Sequence, residues 1–373
     1  MKRLISVFLI VALSGWMLNA SAAEPFRVAA KGAVLIDADS GRVLFAQNAD
    51  QRLPMASTTK VMTTLLALEN ASLDEMVTVG KNAAGVSGTS LYLSNGETLS
   101  MEHMLYGLML RSGNDAAVAV AEHIAGSVSA FADMMNAKAE ALGANAHFVN
   151  PHGLDAEGHG ISALGLSLVM RAAMQNEAFR KITGTRRKII PWVGNEYSRV
   201  LENKNRLLKT YAGATGGKTG YTRKAGRCLV FSAERDGLAL IGAVLNCPTW
   251  FDTATVLLDY GFENFRSESA LEEGQPIDAV TVRNGVIEVV NAVADAPLRT
   301  AVPIGNAVHV VRDLPKAIEA PVRAGQQLGT AQLVSGDRVL AECRLIAASD
   351  VAKRDLKQSI IRLLRNWILN LQA

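Results

Sequence analysis

Strand-like runs stand at both ends of a helix-rich stretch in this chain, and that order restricts the folds it can adopt. Residues 33–48, AVLIDADSGRVLFAQN, predict two short strands around an Asp-Ser-Gly turn, and residues 218–246 predict three more. Helical spacing and glycine stop signals predict helices at 58–70, 101–111, 115–126, 130–143 and 249–262. Strands that enclose helices in this way predict an α+β domain with one antiparallel sheet.

The residue pattern of the chain changes near Arg266. A chain of 373 residues is long enough for two domains. Beyond that point, Val-rich runs alternate with Gly, Pro and Asp, which predicts a small all-β domain of about 80 residues. The predicted organisation is an export signal at 1–23, a first domain at 24–265, the all-β domain at 266–350 and a terminal helix at 351–373.

The N-terminus has the three parts of a secretory signal. A cationic head at residues 1–3 precedes the apolar run LISVFLIVALSGWML, and small residues follow. Cleavage is expected after Ala22 or Ala23. The alternative is a single membrane-spanning anchor, which Asn19 and the Ala-rich exit disfavour. We therefore expect the protein to act outside the cytoplasm.

The C-terminus, DVAKRDLKQSIIRLLRNWILNLQA, predicts a cationic amphipathic helix. Its apolar residues recur at helical spacing and form one stripe. Its Lys and Arg residues lie mostly off that stripe, a pattern suited to the surface of an anionic bilayer. The alternative is a terminal helix docked on the protein itself. The first interpretation predicts a peripheral anchor on the outer face of the cytoplasmic membrane.

The overall composition excludes little but favours no cofactor. A net charge of +3 is too small to argue for nucleic acid as a partner. No H-E-x-x-H, C-x-x-C, P-loop or G-x-G-x-x-G pattern occurs, so neither a metal nor a nucleotide is expected. Of the three cysteines, Cys228 and Cys247 lie in apolar runs and are expected to be buried thiols.

The stretch MASTTK places Ser57 three residues before Lys60 at a predicted helix start. Residues three apart share a helix face, so the amine can reach the hydroxyl. Burial or a neighbouring cation can turn lysine into a base that activates serine as a nucleophile. By itself the pattern is more often a solvated helix face.

Two further stretches carry polar groups suited to the same chemistry. In RSGND, Ser112 and Asn114 flank a glycine between two helices, where Ser112 could relay a proton and Asn114 could hold a substrate amide. The alternative there is an ordinary turn with a helix cap. In GGKTGYT, a strand start, Lys218, Thr219 and Gly220 are the expected substrate-binding residues. Alternation aims Lys218 and Gly220 to one face and Thr219 to the other; Lys218 and a nearby hydroxyl could bind a terminal carboxylate, while Gly220 would let another backbone approach. Taken alone, that tripeptide is more often a glycine-rich hairpin entry.

Together, in this order, the three stretches match the Ser-x-x-Lys, Ser-x-Asn and Lys-Thr-Gly set of penicillin-binding proteins and serine β-lactamases. The chain resembles the D-alanyl-D-alanine carboxypeptidases among the low-molecular-mass penicillin-binding proteins. The blocks LPMASTTKVMT, LYGLMLRSGNDAAVAVAEHIAG, HFVNPHGLD, NKNRLL and GGKTGYTRKAGRCLVFSAERDG carry this resemblance. It implies a β-lactamase/DD-peptidase-like domain with a five-stranded antiparallel sheet, then a small β domain and a membrane anchor.

The resemblance also implies a mechanism. Ser57 would attack the carbonyl between the last two D-alanines of a peptidoglycan stem pentapeptide, with Lys60 as general base and Ser112 as proton relay. The backbone N–H groups of Ser57 and Tyr221 would form the oxyanion hole. β-Lactam antibiotics, which mimic the dipeptide, would acylate Ser57 and leave slowly.

Three positions depart from the pattern of the family. Gly165 and Thr215 stand where relatives often carry Asp, and Lys204 stands where some carry Arg near the substrate carboxylate. None of the three belongs to the catalytic trio.

Three alternatives to a carboxypeptidase remain. A secreted β-lactamase would need a deacylation base, but Glu157 in NPHGLDAEGHG has no Asn four residues on. A transpeptidase or endopeptidase of the same fold differs only in its acceptor or leaving group. A non-catalytic wall-binding scaffold is opposed by the intact catalytic trio.

Overall fold

The structure is a computed structural model that describes residues 27–358 and 360–361. The predicted export signal lies outside the described residues, and so does most of the predicted terminal helix. We refer below to residues 30–264 as the catalytic region and to residues 265–354 as the C-terminal β region.

The α-helices that lie wholly within the described residues are α1 (Lys60–Asn70), α2 (Met101–Tyr106), α3 (Asn114–Ala125), α4 (Val128–Ala141), α5 (Ala163–Met174), α6 (Glu177–Gly184), α7 (Leu207–Thr210) and α8 (Trp250–Asn264). The strands of the catalytic region are β1 (Gly32–Asp37), β2 (Val43–Gln47), β3 (Met76–Thr78), β4 (Thr98–Ser100), β5 (Ala146–His147), β6 (Gly160–Ile161), β7 (Arg187–Ile190), β8 (Arg199–Glu202), β9 (Ala214–Thr222), β10 (Gly226–Arg235) and β11 (Leu238–Leu245). Those of the C-terminal β region are β12 (Phe265–Leu271), β13 (Pro276–Arg283), β14 (Val289–Ala294), β15 (Leu298–Pro303), β16 (His309–Asp313), β17 (Ala317–Glu319), β18 (Gln327–Ser335) and β19 (Arg338–Ala347).

The catalytic region is built on a five-stranded antiparallel sheet in the order β2-β1-β11-β10-β9, which confirms the predicted α+β fold. All six residues of β1 are buried because both faces of the sheet are covered. Alternate side chains of β1 therefore enter different cores: Val34 belongs to the core that includes residues of α1, α3 and α5, and Leu35 belongs to the core that includes residues of α8. The strand β9 lies at the edge of this sheet.

Local capping signals account for the start of four helices and the end of one. Side-chain oxygens of Ser100, Ser127, Ser162 and Asn176 accept the N-terminal N–H groups of α2, α4, α5 and α6. The helix α3 ends at Gly126 with φ +75°, as its glycine predicts.

One predicted helix differs from expectation in a way that affects the site. The span 101–111 divides into α2 and a π-helical turn, Gly107–Arg111, which ends at Ser112 in a left-handed conformation with φ 72°. Single π-helical turns often occur beside functional sites, since the wider turn redirects the chain.

The C-terminal β region contains a six-stranded sheet in the order β16-β18-β19-β14-β13-β17 and a ribbon of β12 and β15. A separate apolar core fills it, which confirms the predicted all-β segment. The ribbon joins the catalytic region at the β1–β2 turn. There Ala301 N–H donates to Asp37 Oδ2 (3.1 Å), and Arg42 Nη1 donates to the Ala301 carbonyl (2.6 Å).

Two further observations concern the expected compartment. The three cysteines are free and buried, as expected for Cys228 and Cys247, and burial raises the pKa of the Cys228 thiol to about 12. Within the described part of the chain, no helix combines the length and the hydropathy needed to cross a bilayer.

Candidate active site

Ser57 and Lys60 lie side by side where the chain enters α1. A short 3-10 turn, Ala56–Thr59, carries Ser57, and α1 begins at Lys60. The two residues therefore occupy successive turns on one face, and Lys60 Nζ lies 3.0 Å from Ser57 Oγ.

The surroundings of the Lys60 amine orient it toward the serine. Lys60 is 0% exposed. Its Nζ donates to Asn114 Oδ1 (2.8 Å) and to the backbone carbonyl of His152 (2.6 Å). Both of these oxygens are acceptors only, so they take the two hydrogens of a neutral amine. The lone pair of that amine then faces the Ser57 hydroxyl, which is the arrangement a general base requires.

The electrostatics of the pocket favour the neutral amine. The pKa of Lys60 is held well below its ordinary value, first by burial and then by the nearby cations of Lys218 and Lys204. Asp115 acts in the opposite direction. Burial dominates because the charged form loses its hydration.

Ser112 and Lys218 form a second hydroxyl–amine pair. The left-handed backbone at Ser112 turns its side chain toward β9, where Lys218 Nζ donates to Ser112 Oγ (3.0 Å). The same amine donates to the Thr219 carbonyl (2.9 Å). Burial, followed by the charge of Lys204, lowers the pKa of Lys218 to about 7. The protonated and the neutral forms of the Lys218 side chain therefore coexist near neutral pH.

Asn114 connects the catalytic lysine to a neighbouring loop. Its Oδ1 accepts from Lys60, and its Nδ2 donates to the Ser87 carbonyl (2.7 Å). It stands at the start of α3, but its side chain makes no cap; the residue before it, Gly113, is the N-cap. The structure thus places both polar atoms of Asn114 on protein partners at the edge of the site.

Thr219, Gly220 and Tyr221 lie along the edge strand β9. Thr219 is buried, and the ring of Tyr221 is exposed. A Cβ on Gly220 would lie 2.8 Å from the Met55 carbonyl and 2.9 Å from the Ser57 nitrogen. The backbone that approaches this glycine is therefore the turn that carries Ser57, and the glycine allows β9 to lie directly against it.

The segment 150–155 is a part of the site that side-chain motifs do not reveal. Thr63 Oγ1 donates to the Pro151 carbonyl (2.6 Å), and Lys60 donates to the next carbonyl, that of His152. Gly153 has φ +88°, and a Cβ there would lie 1.9 Å from the Ala56 carbonyl. This segment contributes backbone oxygens to the site. Gly153 was therefore the only residue in it whose type could have indicated the role of the segment.

Asp115 is a second structural residue missed by the motifs. It is fully buried and accepts from Ser90 Oγ (2.6 Å) and from the N–H groups of Leu91 and Leu93. Its carboxylate therefore holds the loop 90–93 against α3, beside Ser112 and Asn114.

Comparison with known proteins places this geometry in a family. The D-alanyl-D-alanine carboxypeptidase family profile matches residues 19–249. The chain belongs to this family. It is a serine-type carboxypeptidase, and residues 265–353 match the profile of the penicillin-binding protein 5 C-terminal domain.

Individual relatives match the carboxypeptidase over most of its length. D-alanyl-D-alanine carboxypeptidase DacF of Bacillus subtilis is 34% identical over 98% of this chain and 99% of its own. A crystal structure of penicillin binding protein 5 from Haemophilus influenzae is 31% identical, with a TM-score of 0.77 over 88% of this chain and 99% of that one. A variant of the Streptomyces K15 DD-transpeptidase is 33% identical, with a TM-score of 0.60 over 64% of this chain and 99% of that one.

The three departures from the family pattern have structural settings. The Gly165 N–H donates to the capping oxygen of Ser162 at the start of α5. Thr215 Oγ1 donates to Ser232 Oγ (2.7 Å) on the neighbouring strand. Lys204 lies nearest the chemistry: burial and Arg111 lower its own pKa, and its charge lowers the pKa values of Lys60 and Lys218.

Proposed function

We propose that this carboxypeptidase removes the terminal D-alanine from peptidoglycan stem pentapeptides through an ester on Ser57. The observation that carries the proposal is the Lys60 amine, which is fully buried, has a lowered pKa and lies 3.0 Å from the Ser57 hydroxyl. A serine hydroxyl needs such a neighbouring base to act as a nucleophile.

The reaction proceeds in two halves. Ser57 Oγ attacks the carbonyl carbon of the penultimate residue as its proton passes to Lys60 Nζ, and the backbone N–H groups of Ser57 and Tyr221 stabilise the oxyanion. The C–N bond then breaks as Ser112 relays the proton from Lys60 to the departing amine. Water attacks the ester with Lys60 again as base, releasing the shortened peptide and restoring the Ser57 hydroxyl.

Substrate binding uses the edge strand and the nearby cations. The extended stem peptide adds to β9 through main-chain hydrogen bonds, and Asn114 lies beside its penultimate amide. Lys218, Thr219 and Lys204 form the electropositive end of the cleft, which suits the terminal carboxylate. A β-lactam has the same carboxylate and an amide in place of the scissile bond, so it acylates Ser57.

Mass spectrometry of a stem pentapeptide before and after incubation tests this function. We expect loss of one D-alanine with the wild type and no change with Ser57→Ala. Unchanged pentapeptide with folded wild-type protein would contradict the proposal, as would faster turnover of a β-lactam than of the peptide.

A second candidate reaction is transfer of the acyl group to an amine. The structural similarity to a DD-transpeptidase supports this second reaction. The same fold can pass the acyl group to water or to an amine, because the shape of the cleft selects the acceptor. Formation of cross-linked dimers in the presence of an amine-bearing stem peptide, in place of free acid, would make it the main activity.

We further propose that the protein is exported, with the boundaries given above, and is anchored by its C-terminal tail to an anionic membrane surface. The described start of the tail exposes Leu356, Ile360 and Ile361. The β13–β14 turn beside it exposes Val286 and Ile287. Hydrogen bonds from Val286 N–H to the Ala352 carbonyl and from Arg354 Nη2 to the Gly285 carbonyl hold this turn against the chain just before the tail.

Deletion of residues 356–373 tests the anchor and leaves the paired segment 351–354 intact. We expect the deletion variant to stop sedimenting with anionic phospholipid vesicles while it keeps pentapeptide hydrolysis. Binding equal to that of the full chain would contradict the anchor.

A further inference from the structure

A cavity of about 590 Å³ opens at the C-terminal end of the edge strand β9. Its volume falls within the range of about 300–1,000 Å³ that is typical of ligand pockets. Tyr221 connects this cavity to the chemistry, because its backbone N–H belongs to the proposed oxyanion hole. The cavity therefore begins at the residue that contacts the scissile carbonyl in the proposed reaction. Its lining consists of Tyr221, Gly226, Arg227, Asn246, Pro248 and Trp250.

The side chain of Tyr221 lies on the opposite face of the sheet from Ser57. The preceding residue, Gly220, faces the serine, since a Cβ on it would lie 2.9 Å from the Ser57 nitrogen. Side chains alternate along a strand, so Tyr221 points to the other face, the one that α8 covers. Arg227 of β10 is the cross-strand partner of Tyr221 and shares that face. A substrate paired with the edge of β9 therefore has the catalytic serine on one side and this cavity on the other.

Two aromatic rings form part of the lining. Tyr221 is 64% exposed, and Trp250 is partly exposed at the start of α8, where its ring centroid lies 4.9 Å from that of Phe251. Tyrosine and tryptophan combine an apolar ring face with a polar tip. This combination suits a ligand that is apolar on one face and polar at its rim. A pyranose ring has that character, because its C–H groups form a face and its hydroxyls surround it.

Arg227 and Asn246 supply the polar side-chain groups of the cavity. Arg227 Nη1 donates to the Pro248 carbonyl (2.7 Å), and its guanidinium lies 5.9 Å from the centroid of the Trp250 ring. A guanidinium has five N–H donors, so donors remain for a ligand after this bond. Gly226 leaves room for the Asn246 amide, since a Cβ on the glycine would lie 2.8 Å from Asn246 Oδ1. Among the described residues no carboxylate lines the cavity, which favours a neutral or anionic ligand.

The stem peptide brings a sugar toward this position. In the proposed binding mode the terminal carboxylate lies at Lys218 and Thr219, and the scissile carbonyl lies at the Tyr221 N–H. The three residues that precede the penultimate D-alanine therefore continue beyond Tyr221 and span about 10 Å when extended. Arg227 lies about 5 Å from Tyr221 across the strand pair, which is within that reach. In peptidoglycan the group at the far end of the stem is an N-acetylated amino sugar of the glycan strand.

We propose that this cavity binds the amino sugar that carries the stem peptide. The rings of Tyr221 and Trp250 contact the C–H faces of the sugar, while Arg227 and Asn246 bind its hydroxyl and acetamido oxygens. The inference rests on the proposed function and specifies its substrate further, as a stem peptide attached to its glycan and not a free peptide. Because the sugar is remote from the scissile bond, its contacts are the same in the ground state and the transition state. They therefore lower KM and leave kcat unchanged.

The test compares the free stem pentapeptide with the same pentapeptide attached to its disaccharide, by kcat and KM for release of D-alanine. For the wild type we expect kcat/KM to be about tenfold higher with the sugar-linked peptide, through a lower KM. Arg227→Gln and Trp250→Leu should each remove most of this advantage, which is what the loss of one charged hydrogen bond or one ring contact costs. Both variants should act on the free peptide within about twofold of the wild type.

Arg206→Gln is the matched control for the arginine variant. Arg206 is exposed and also lies over a ring of α8, 4.8 Å from the centroid of Phe251, but it is outside the lining of the cavity. Its replacement should leave the kinetics of both substrates unchanged. Equal kcat/KM of the wild type for the two substrates, or equal losses on both in Arg227→Gln, would overturn the inference. Failure of the proposed function would instead show as wild type that releases no D-alanine from either substrate.

Discussion

The catalytic region and the C-terminal β region differ most in what they bury. Among the described residues, every buried polar or charged side chain except that of Thr300 belongs to the catalytic region. That region encloses Lys60, Lys218, Asp115 and the Arg199–Glu97 pair, whereas the core of the β region is aliphatic apart from Cys343. Both regions are folded around closed apolar cores, so packing alone does not require such groups.

This difference shows where the fold accepts an energetic cost. Burying an ammonium without a carboxylate partner disfavours the folded state unless the group becomes neutral. Among the described residues, Lys60 and Lys218 are both buried without a carboxylate partner, and this burial makes Lys60 a base. The β region has no comparable group and is stabilised by apolar burial and strand pairing.

Replacement of Lys60 by an apolar isostere separates stability from catalysis most sharply. We expect Lys60→Met to lower the rate of acylation by a fluorescent penicillin about 10²–10⁴-fold, as loss of a general base does. Its melting temperature should change little, because the desolvation cost of the amine is removed while Asn114 Oδ1 and the His152 carbonyl lose their donor. Ser57→Ala should remove labelling altogether, and normal labelling of either variant would contradict the assigned roles.

The carbonyl that orients Lys60 can be displaced through Gly153. Gly153→Ala places a methyl group 1.9 Å from the Ala56 carbonyl at a φ of +88°. We expect it to lower the free energy of unfolding by about 2 kcal/mol or more and the acylation rate about tenfold. Gly126→Ala is the matched control, since it has φ +75° but open space around the new methyl group. Equal behaviour of the two variants would remove the segment 150–155 from the site.

The pH dependence of stability should belong to the catalytic region. The pKa of Lys218 is 10.5 in its ordinary state and about 7 in the folded protein. Between these values the unfolded chain binds a proton that the folded chain does not, so the free energy of unfolding rises with pH. We expect a gain of a few kcal/mol at most from about pH 7 to pH 10 in urea titrations.

Lys218→Met should lose much of this gain, whereas Lys316→Met, an exposed lysine of the β region, should retain it. An unchanged slope in Lys218→Met would mean that the lysine is protonated in the folded protein over this range.

A cavity in the β region should affect stability without affecting the chemistry. Val282 is 3% exposed in the core of that region. We expect Val282→Ala to lower its unfolding free energy by about 2 kcal/mol and to leave the acylation rate unchanged. Hydrogen exchange resolved by region, together with penicillin labelling, measures both effects. A fall in labelling would show that the two regions are coupled.

Local signals predicted much of the architecture. The strands at residues 33–48 and 218–246, the helix that stops at Gly126 and the all-β segment were each predicted correctly, because periodicity and capping depend on neighbours in sequence. The π-helical turn before Ser112 was missed, since its residues have ordinary helical spacing. The bonds that Asp115 and Arg199 make to distant loops were missed for the same reason: nothing nearby in sequence specifies their partners.

The amino-acid sequence by itself determined which groups are available. These are the hydroxyl of Ser57, the amine of Lys60, the hydroxyl of Ser112 and the amine of Lys218. Only the tertiary structure decided what surrounds them: the carbonyl of His152 and the amide of Asn114 take the amine's hydrogens, and burial keeps the amine neutral. Desolvation and backbone contacts depend on atoms brought together from distant parts of the chain, so no local pattern encodes them.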